Sequence, residues 1–459
     1  MPVNVSTFHT INPFSEEIIS EYCFESHQTL ESKLQIAHQS FLHHKTTSIS
    51  TRIEWLKSLI PILESSKSQW SRLATIEMGK PVVEASHEVE KCIGLCRYFI
   101  ENAESFLAPE MIPYSKKAVV TKSPVGVVLG IMPWNYPFWQ VFRFAIPALM
   151  SGNAVVLKHA PNVTGCALAL EDAFKNSMFP EELFQVALAD ADQTQRLITD
   201  ERVQRISFTG SNEAGFKIAM AAGAVGKRCV LELGGSDPFI VMANAPLEKV
   251  IPQAIKSRFI NAGQSCISAK RFIVHSSISE EFTRKLIQEV QKLTVGNPLD
   301  SSTKVGPLAR KDLQIKVLSQ IESAKDSGSQ ILFQSNTPSH GFFVPLTVFG
   351  NVHLNSSIWK EEVFGPVALV QTFDNDEEML NLANDTVFGL GASIWSENLE
   401  NAFTLAQRID AGNVYVNEMM KSDFELPFGG TKQSGFGKEL SKSGMMEFVN
   451  LKTSIISPL

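Results

Sequence analysis

Apolar residues recur at intervals of three and four over the first part of the chain. The spacing is regular between Leu30 and Leu107. Such spacing puts apolar side chains on one face of a helix. We therefore predict that residues 1–112 are mostly amphipathic helix, with a short strand that starts at Ile18.

From Val127 onward, short apolar runs alternate with helical segments. The pattern predicts strands at Val127–Met132, Ala154–Leu157, Phe184–Ala187 and Arg205–Phe208, with helices between them. Short strands that alternate with helices are typical of a parallel sheet with helices on both faces. Such a sheet binds ligands beyond the carboxyl ends of its strands.

A second segment with the same alternation begins at Asp237 and continues to about residue 420. Before the first segment, Lys117–Ile131 has strand character, with a bend marked by Pro124 and Gly126. The chain therefore predicts two α/β units and a small extended region.

Composition and charge narrow the class of protein. The 459 residues are 44% hydrophobic and 19% charged, with a formal net charge of −7. These values predict a soluble globular protein of two or three domains and argue against nucleic acid as a partner. No run is apolar enough to span a bilayer, and the six cysteines lack zinc-site spacing. We expect a cytoplasmic protein with no membrane contact and no metal.

Cys266 is the first candidate for chemistry, because it stands among small and polar residues in Gly263-Gln-Ser-Cys266. A nucleophilic thiol needs access, a lowered pKa or a nearby base, and N–H donors for the oxyanion that it creates. A lone cysteine also fits the role of a small buried hydrophobic residue. The surrounding motifs must decide between these two interpretations.

Glu232 and Asn135 are polar residues at the ends of predicted strands. Glu232 lies in an apolar strand end beside two glycines, where burial would raise its pKa towards the range of a general base. A structural carboxylate with a buried partner is the alternative. Asn135 offers an amide donor for an oxyanion. Glu362 and Phe364 add a carboxylate and an aromatic face before a turn.

Lys158, Gly210 and Ser211 form a candidate phosphate-binding edge. Lys158 directly follows a predicted strand, and Gly210 and Ser211 join another strand to a helix. The start of a helix offers free N–H groups and a positive dipole end to a phosphate. The full Gly-x-Gly-x-x-Gly pattern is missing, so a plain strand-to-helix turn is the alternative.

Together, these motifs resemble those of the NAD(P)-dependent aldehyde dehydrogenases over nearly the whole chain. The matching motifs are Pro133-Trp-Asn-Tyr-Pro137, Lys158, Phe208-Thr-Gly-Ser211, Glu232-Leu-Gly-Gly235, Gly263-Gln-Ser-Cys266, Glu362-Val-Phe-Gly-Pro366 and Pro427-Phe-Gly-Gly-Thr-Lys-Gln-Ser-Gly435. Within this superfamily, Lys158-His-Ala-Pro161 and the short length are most similar to the short bacterial succinate-semialdehyde dehydrogenases.

The resemblance implies an α/β fold with a Rossmann-like cofactor domain, an α/β catalytic domain and a small β flap for oligomerisation. We assign residues 1–112 and 128–236 to the dinucleotide-binding domain and residues 237–425 to the catalytic domain. Residues 113–127 and 440–459 would form the oligomerisation strands. A homodimer or homotetramer is then expected.

The resemblance also implies oxidation of an aldehyde to a carboxylic acid. The Cys266 thiolate would attack the aldehyde, and the Asn135 amide and the Cys266 N–H would hold the oxyanion of the thiohemiacetal. Loss of hydride to the cofactor leaves a thioester, and water activated by Glu232 hydrolyses it. The implied cofactor-binding residues are Lys158 and Glu362 at the riboses, Ser211 at the pyrophosphate, and Gly210, Leu233, Trp134 and Phe364 around the dinucleotide.

Arg143 is the candidate for substrate recognition. It lies just over two helical turns after Asn135, so both are expected on the same side of the helix. In the resembled enzymes an arginine here binds the distal carboxylate, a task suited to its forked donors. Ser422 and Lys421 are expected to help, since the second arginine of some such enzymes is Ile260 here. A surface salt bridge is the alternative role for Arg143.

The cofactor is expected to be NAD or NADP. NAD-selective relatives often carry a glutamate three residues after the lysine, and Pro161 occupies that position here. The group that would repel a 2′-phosphate is therefore missing, and we predict that both cofactors are used.

Other functions remain open at this point. The same Cys266, Glu232 and Asn135 could serve a cofactor-independent thiol esterase, or the chain could be a binding protein without activity. Another small aliphatic aldehyde is the alternative substrate. Formation of reduced cofactor from an aldehyde separates these functions.

Overall fold

The computed structural model describes residues 6–457. The chain begins with an antiparallel hairpin, and three long helices follow. These elements are β1 (Thr7–Ile11), β2 (Ile18–Cys23), α1 (His27–His44), α2 (Ile49–Met78) and α3 (Val82–Leu107). The long helices agree with the sequence prediction. The strand β1 was not predicted, because its sequence Thr-Phe-His-Thr-Ile contains only two apolar residues.

The middle of the chain alternates strands and helices, as the apolar runs predict. Its elements are β3 (Glu110–Ile112), β4 (Lys117–Pro124), β5 (Val127–Met132), α4 (Trp139–Met150), β6 (Ala154–His159), α5 (Thr164–Lys175), β7 (Phe184–Val186), α6 (Ala191–Thr199), β8 (Val203–Thr209), α7 (Asn212–Ala224) and β9 (Arg228–Glu232).

The second alternating segment follows after a short connection. Its elements are β10 (Asp237–Val241), α8 (Leu247–Phe259), β11 (Ala269–His275), α9 (Ser276–Val290), α10 (Lys311–Asp326), β12 (Gln330–Gln334), β13 (Thr347–Gly350), α11 (Ser357–Lys360), β14 (Val367–Phe373), α12 (Asp376–Asn384), β15 (Gly391–Trp395), α13 (Leu399–Ala406), β16 (Asn413–Val416), β17 (Gly435–Phe436), α14 (Ser441–Met446) and β18 (Val449–Ile456).

The first large sheet has six strands in the order β17-β9-β8-β5-β6-β7, and all pairs except β17–β9 are parallel. Every residue of β5 is buried, as expected for a strand covered by helices on both faces. Gly130 in β5 makes room for Phe144 of α4, because a Cβ at Gly130 would overlap that ring. This close packing fixes α4 against the sheet, and α4 carries Arg143.

The second large sheet has seven strands in the order β12-β13-β14-β11-β10-β15-β16, and only the β12–β13 pair is antiparallel. Its buried residues form a hydrophobic core separate from that of the first sheet. Only residues 233–236 connect β9 of the first sheet to β10 of the second. The α/β fold class is therefore confirmed, and Glu232 lies where one sheet gives way to the other.

A third sheet is antiparallel, with the order β18-β4-β3. Strand β18 pairs with β4 from Val449–Pro124 to Ile456–Lys117. Residues 110–112, which the sequence analysis groups with the first domain, also pair with β4 as strand β3. The small sheet thus begins before residue 113, because Glu110–Ile112 completes the ladder along β4.

No helix between residues 6 and 457 is long and apolar enough to cross a membrane. No three His, Cys, Asp or Glu side chains there lie close enough together to hold a metal ion.

Candidate active site

Cys266 lies in a tightly held loop between α8 and β11. Asn261, Ala262 and Gly263 all have positive φ values, of 53°, 55° and 75°. Non-glycine residues adopt such values only where the surrounding structure imposes them. The buried Lys270 donates to the carbonyls of Ser265 and Cys266 at 2.8 and 2.6 Å. The backbone around the thiol is therefore fixed from both sides.

The Asn135 side chain is joined to the same loop. Its Nδ2 donates to the Gln264 carbonyl at 3.1 Å, and Asn261 Nδ2 donates to the Asn135 carbonyl at 2.8 Å. Asn135 is buried. The structure thus brings the proposed oxyanion donor to the loop that carries Cys266.

The thiol of Cys266 is a weak acid in this setting. Burial raises its pKa to about 12, although the positive charges of Arg143 and Lys270 oppose this shift. At neutral pH the group is a thiol, so its reaction as a nucleophile requires removal of the proton. Charge also links the two proposed catalytic groups, since the Glu232 carboxylate adds to the rise of the Cys266 pKa.

Glu232 is the last residue of β9 and is 1% exposed. Among residues 6–457, neither of its carboxylate oxygens has a hydrogen-bond partner. Burial, followed by repulsion from the Glu439 carboxylate, raises the pKa of Glu232 well above its usual range. A carboxylate paired for structural reasons would have a partner, so this environment fits a general base better.

A cavity of about 850 Å³ opens beside Cys266. Helices α3 and α4, the Cys266 loop and residues 417–428 all contribute to its wall. The side chains in this wall that matter for the argument are Lys91, Trp139, Arg143, Cys266, Ser422 and Phe428. We call this space the Cys266 cavity.

Arg143 lines the Cys266 cavity, but the side chain already has a partner. One of its terminal nitrogens lies 2.6 Å from a carboxylate oxygen of Glu439, and both side chains are buried. The guanidinium also lies 4.8 Å from the centroid of the Phe428 ring. Its Nε has no hydrogen-bond partner in the described part of the chain. The alternative of a surface salt bridge is therefore wrong, because the ion pair is internal.

Ile260 also lines the Cys266 cavity, whereas Arg258 does not. Arg258 is buried and donates to Ser268 Oγ and to the carbonyls of Val363 and Gly365. These bonds hold its guanidinium against the backbone of residues 363–365 and the hydroxyl of Ser268. Arg258 therefore does not replace the missing arginine at position 260.

The proposed phosphate-binding edge lies at the carboxyl ends of the parallel strands. Lys158 is the penultimate residue of β6 and not the residue after it, because the ladder with β5 continues to His159. Burial lowers the pKa of Lys158. Ser211 caps α7, and its Oγ accepts from the Ala214 N–H at 3.4 Å. The first turn of α7 therefore faces the edge to which Lys158 also belongs.

Leu233 and Gly210 shape the turn between β8 and α7. The Gly210 N–H donates to the Glu232 carbonyl at 3.0 Å, and the Leu233 N–H donates to the Ser434 carbonyl at 3.0 Å. Leu233 packs against Gly215, where a Cβ would overlap its side chain. These contacts hold α7 close to β9, next to Glu232.

Glu362, Phe364 and Trp134 come together at the other side of this edge. A Glu362 carboxylate oxygen accepts from the Gly235 N–H at 3.0 Å and lies 3.5 Å from Lys270 Nζ. The rings of Trp134 and Phe364 meet edge to face at 5.8 Å. A dinucleotide has phosphates, sugars and flat bases. The start of α7 suits the phosphates, Lys158 and Glu362 suit the sugar hydroxyls, and the rings of Trp134 and Phe364 suit the bases. The residues present therefore fit NAD or NADP.

Sequence reasoning missed three charged residues of this site. Glu439 neutralises Arg143, Lys270 holds the Cys266 loop, and Lys91 donates to Ser422 Oγ at 2.8 Å. Lys91 follows Glu84, His87 and Glu88 on the face of α3 that lines the cavity, so its charge did not stand out in the sequence. Glu439 gave no local signal, because its partner Arg143 is distant in the chain. Lys270 lies only four and five residues after its partners Cys266 and Ser265, but nothing in that spacing marks it as a donor to their carbonyls.

Known proteins resemble this chain over nearly its whole length. The sequence model of the Aldehyde dehydrogenase family matches residues 2–454. A protein of Synechocystis sp. named probable succinate-semialdehyde dehydrogenase [NADP(+)] is 44% identical, over 97% of this chain and 98% of that protein. Succinate semialdehyde dehydrogenase [NAD(P)+] Sad of Escherichia coli is 38% identical, over 97% of this chain and 96% of that protein.

A solved structure has nearly the same fold as this chain. The crystal structure of succinic semialdehyde dehydrogenase from Streptococcus pyogenes, in complex with NADP+, superposes with a TM-score of 0.96 at 32% identity. The match covers 98% of this chain and all of that one. The resemblance predicted from the motifs is thereby confirmed. The chain belongs to the aldehyde dehydrogenase family.

Proposed function

We propose that this protein oxidises succinate semialdehyde to succinate with NADP or NAD. The observation that carries the proposal is the Cys266 cavity, in which a thiol and basic side chains line the wall. Glu232, a buried carboxylate without a hydrogen-bond partner among residues 6–457, is close enough for its charge to raise the pKa of Cys266. The names of the relatives from Synechocystis and E. coli support the choice of substrate.

Cys266 provides the nucleophile. The thiol proton passes to solvent water, Sγ bonds to the aldehyde carbon, and the carbonyl π electrons move to the oxygen. Arg143 and Lys270 stabilise the thiolate by their charge. The Asn135 amide and the Cys266 N–H are the donors that stabilise the resulting oxyanion.

Lys158, Ser211 and Glu362 would hold the dinucleotide at the carboxyl ends of the first sheet, with Trp134 and Phe364 against its flat parts. When bound there, the nicotinamide supplies the acceptor for the hydride that the thiohemiacetal must lose to become a thioester. The protein's share is to hold the donors rigidly, which the packing of Leu233 on Gly215 favours.

Glu232 completes the reaction by hydrolysis of the thioester. Its carboxylate takes a proton from water, the water oxygen bonds to the acyl carbon, and the carbon–sulfur bond breaks to return Cys266. A raised pKa suits this role, because a stronger base removes the proton more readily.

Arg143 and Ser422 remain the proposed substrate-binding residues. Arg143 Nε is without a partner in the described chain, and Ser422 Oγ lies on the cavity wall. Carboxylate recognition at this end of the cavity distinguishes a semialdehyde acid from a neutral aldehyde of similar length.

The experiment that tests the proposal is a steady-state assay of reduced-cofactor formation over a panel of aldehydes. Succinate semialdehyde is expected to give a higher kcat/KM than butanal, its uncharged analogue. An equal or higher kcat/KM for butanal would contradict the substrate assignment. Hydrolysis of esters without any reduced cofactor from aldehydes would favour the thiol esterase instead.

We also propose that the protein assembles as a homodimer or homotetramer through the third sheet. Strand β18 pairs only with β4 within residues 6–457, so its outer edge is available for another chain. Its side chains Leu451 and Ile455 are 60% and 55% exposed. An unpaired strand edge next to exposed apolar side chains is typical of an interface.

A further inference from the structure

Lys91 is a basic residue in the wall of the Cys266 cavity. It lies on α3, its Nζ donates to Ser422 Oγ at 2.8 Å, and the same nitrogen lies 4.2 Å from the centroid of the Trp139 ring. Trp139 Nε1 donates to Ser422 Oγ as well, at 3.0 Å. The hydroxyl and the ring therefore hold the ammonium at a defined place in the wall.

The two carboxylates whose charges act on Lys91, Glu88 and Asp423, both have other partners. Glu88 accepts from the N–H groups of Phe138 and Trp139 and is paired with Lys80. Asp423 lies 3.4 Å from Lys421 Nζ. Among residues 6–457, no Asp or Glu forms an ion pair with Lys91. A partly buried ammonium with no counter-ion favours a ligand that brings a negative charge.

Arg143 differs from Lys91 in this respect. The charge of Arg143 is balanced by Glu439, 2.6 Å away, and that pair is fully buried. Arg143 can offer a hydrogen bond from Nε, but its positive charge is largely neutralised by Glu439. Of these two residues, therefore, Lys91 is the one whose positive charge has no ion-pair partner among residues 6–457.

We propose that Lys91 binds the distal carboxylate of the substrate directly and thereby sets the preference for an acidic aldehyde. This inference rests on the proposed function and adds the residue that supplies the counter-charge. Ser422 positions the ammonium, and the Trp139 ring stabilises it from the face.

Binding of an acidic substrate should change the protonation of Lys91. Burial, and next the charge of Arg143 on α4, lower the pKa of Lys91 to about 7, while Glu88 and Cys92 on its own helix and Asp423 from the facing loop act against this shift. A bound carboxylate would favour the protonated form and raise the pKa again. KM for the acidic substrate should therefore rise with pH in a way that a neutral aldehyde does not share.

The test compares Lys91→Met with Lys91→Arg and with Lys67→Met, a control at an exposed lysine on α2 that pairs with Glu90. We expect Lys91→Met to raise KM for succinate semialdehyde by about tenfold or more, the loss typical of a charged hydrogen bond. Its kcat/KM for butanal should stay close to that of the wild type. Lys91→Arg should retain most of the preference for succinate semialdehyde over butanal. Lys67→Met should leave the kinetic constants for both substrates unchanged.

The outcomes separate the two proposals. Wild-type enzyme without a preference for the semialdehyde would overturn the proposed function. A wild-type preference that survives in Lys91→Met would overturn only the role of Lys91, and so would equal losses for both substrates in the Met and Arg variants. If Lys91→Met fails to fold, as judged by its thermal unfolding, Lys91→Gln provides the same comparison.

Discussion

At the scale of single residues, the site combines a thiol and a carboxyl whose pKa values are both raised by burial. The pKa of Cys266 is raised to about 12 and that of Glu232 is raised well above its usual range. The thiol must lose its proton before it can act as a nucleophile, and Glu232 acts as a base only in its carboxylate form. The nearby charges of Arg143 and Lys270 lower the free energy of the ionised thiol.

Cys266→Ala should abolish both aldehyde oxidation and ester hydrolysis, because no other thiol lines the cavity within the described chain. Dinucleotide binding, followed by fluorescence titration, should persist. Cys23→Ala is the control, because Cys23 is exposed and distant in sequence from Cys266, and this variant should retain full activity. Residual oxidation by the Cys266 variant would mean that another group forms the covalent intermediate.

Glu232→Gln should stall hydrolysis of the thioester. Stopped-flow measurement is expected to record a burst of reduced cofactor followed by slow turnover. In the wild type, kcat should rise with pH through the raised pKa of Glu232, since only the carboxylate acts as a base. This rise should be absent from the variant, and wild-type turnover by Glu232→Gln would exclude Glu232 as the base.

Arg143→Ala should raise KM for succinate semialdehyde by tenfold or more, on the order of 1.5–3 kcal/mol for a lost charged hydrogen bond. The variant also leaves Glu439 without its counter-ion, which would raise the pKa of Glu232 further. Arg143→Ala combined with Glu439→Gln removes that side effect. Butanal kinetics in the double variant should stay near the wild-type values, and equal losses for both substrates would make Arg143 a structural residue.

At the scale of elements, local patterns predicted most of the structure. The apolar runs of β5 and the helical spacing of α3 depend on residues close in sequence, so they could be read directly. The partners of Arg143 and Lys91 could not, because Glu439 and Ser422 reach them from the far end of the chain. The fold was therefore predictable, whereas the charge balance of the cavity required the structure; the role of Cys266 as nucleophile stays a prediction.

Strand β18 should control assembly. The double variant Leu451→Glu and Ile455→Glu places two charges on its exposed apolar face and should give a monomer by light scattering. Lys452→Glu, on the same strand, is the control and should keep the wild-type mass. An unchanged mass of the double variant would place the interface elsewhere.

At the scale of the whole molecule, two mostly parallel sheets meet at residues 233–236, so that the proposed cofactor edge and the Cys266 loop are brought side by side. Pro161 begins a short turn after Lys158 and provides no carboxylate there. His159 is occupied by a 2.8 Å hydrogen bond between Nε2 and the Pro137 carbonyl, and burial lowers its pKa to about 4. His159 is therefore neutral and contributes no charge to cofactor choice.

We accordingly predict that the enzyme uses both NADP and NAD. The measurement is kcat/KM for each cofactor at saturating succinate semialdehyde. Pro161→Glu should shift the ratio towards NAD, because a carboxylate near the adenine ribose would repel a 2′-phosphate. A wild-type preference for NAD above a thousandfold, about 4 kcal/mol, would mean that another group excludes the phosphate.

The pairing of β17 with β9 also governs when the protein can become active. Gly435 lies beside Glu232 in that ladder, and Glu439 follows it by four residues. Domains tend to fold in order as the ribosome releases them. Here the first sheet lacks strand β17, and Arg143 lacks its counter-ion, until residues 435–439 have been synthesised. Translation therefore delivers the Cys266 thiol before these parts of its surroundings, and the complete site forms only after Glu439 has followed.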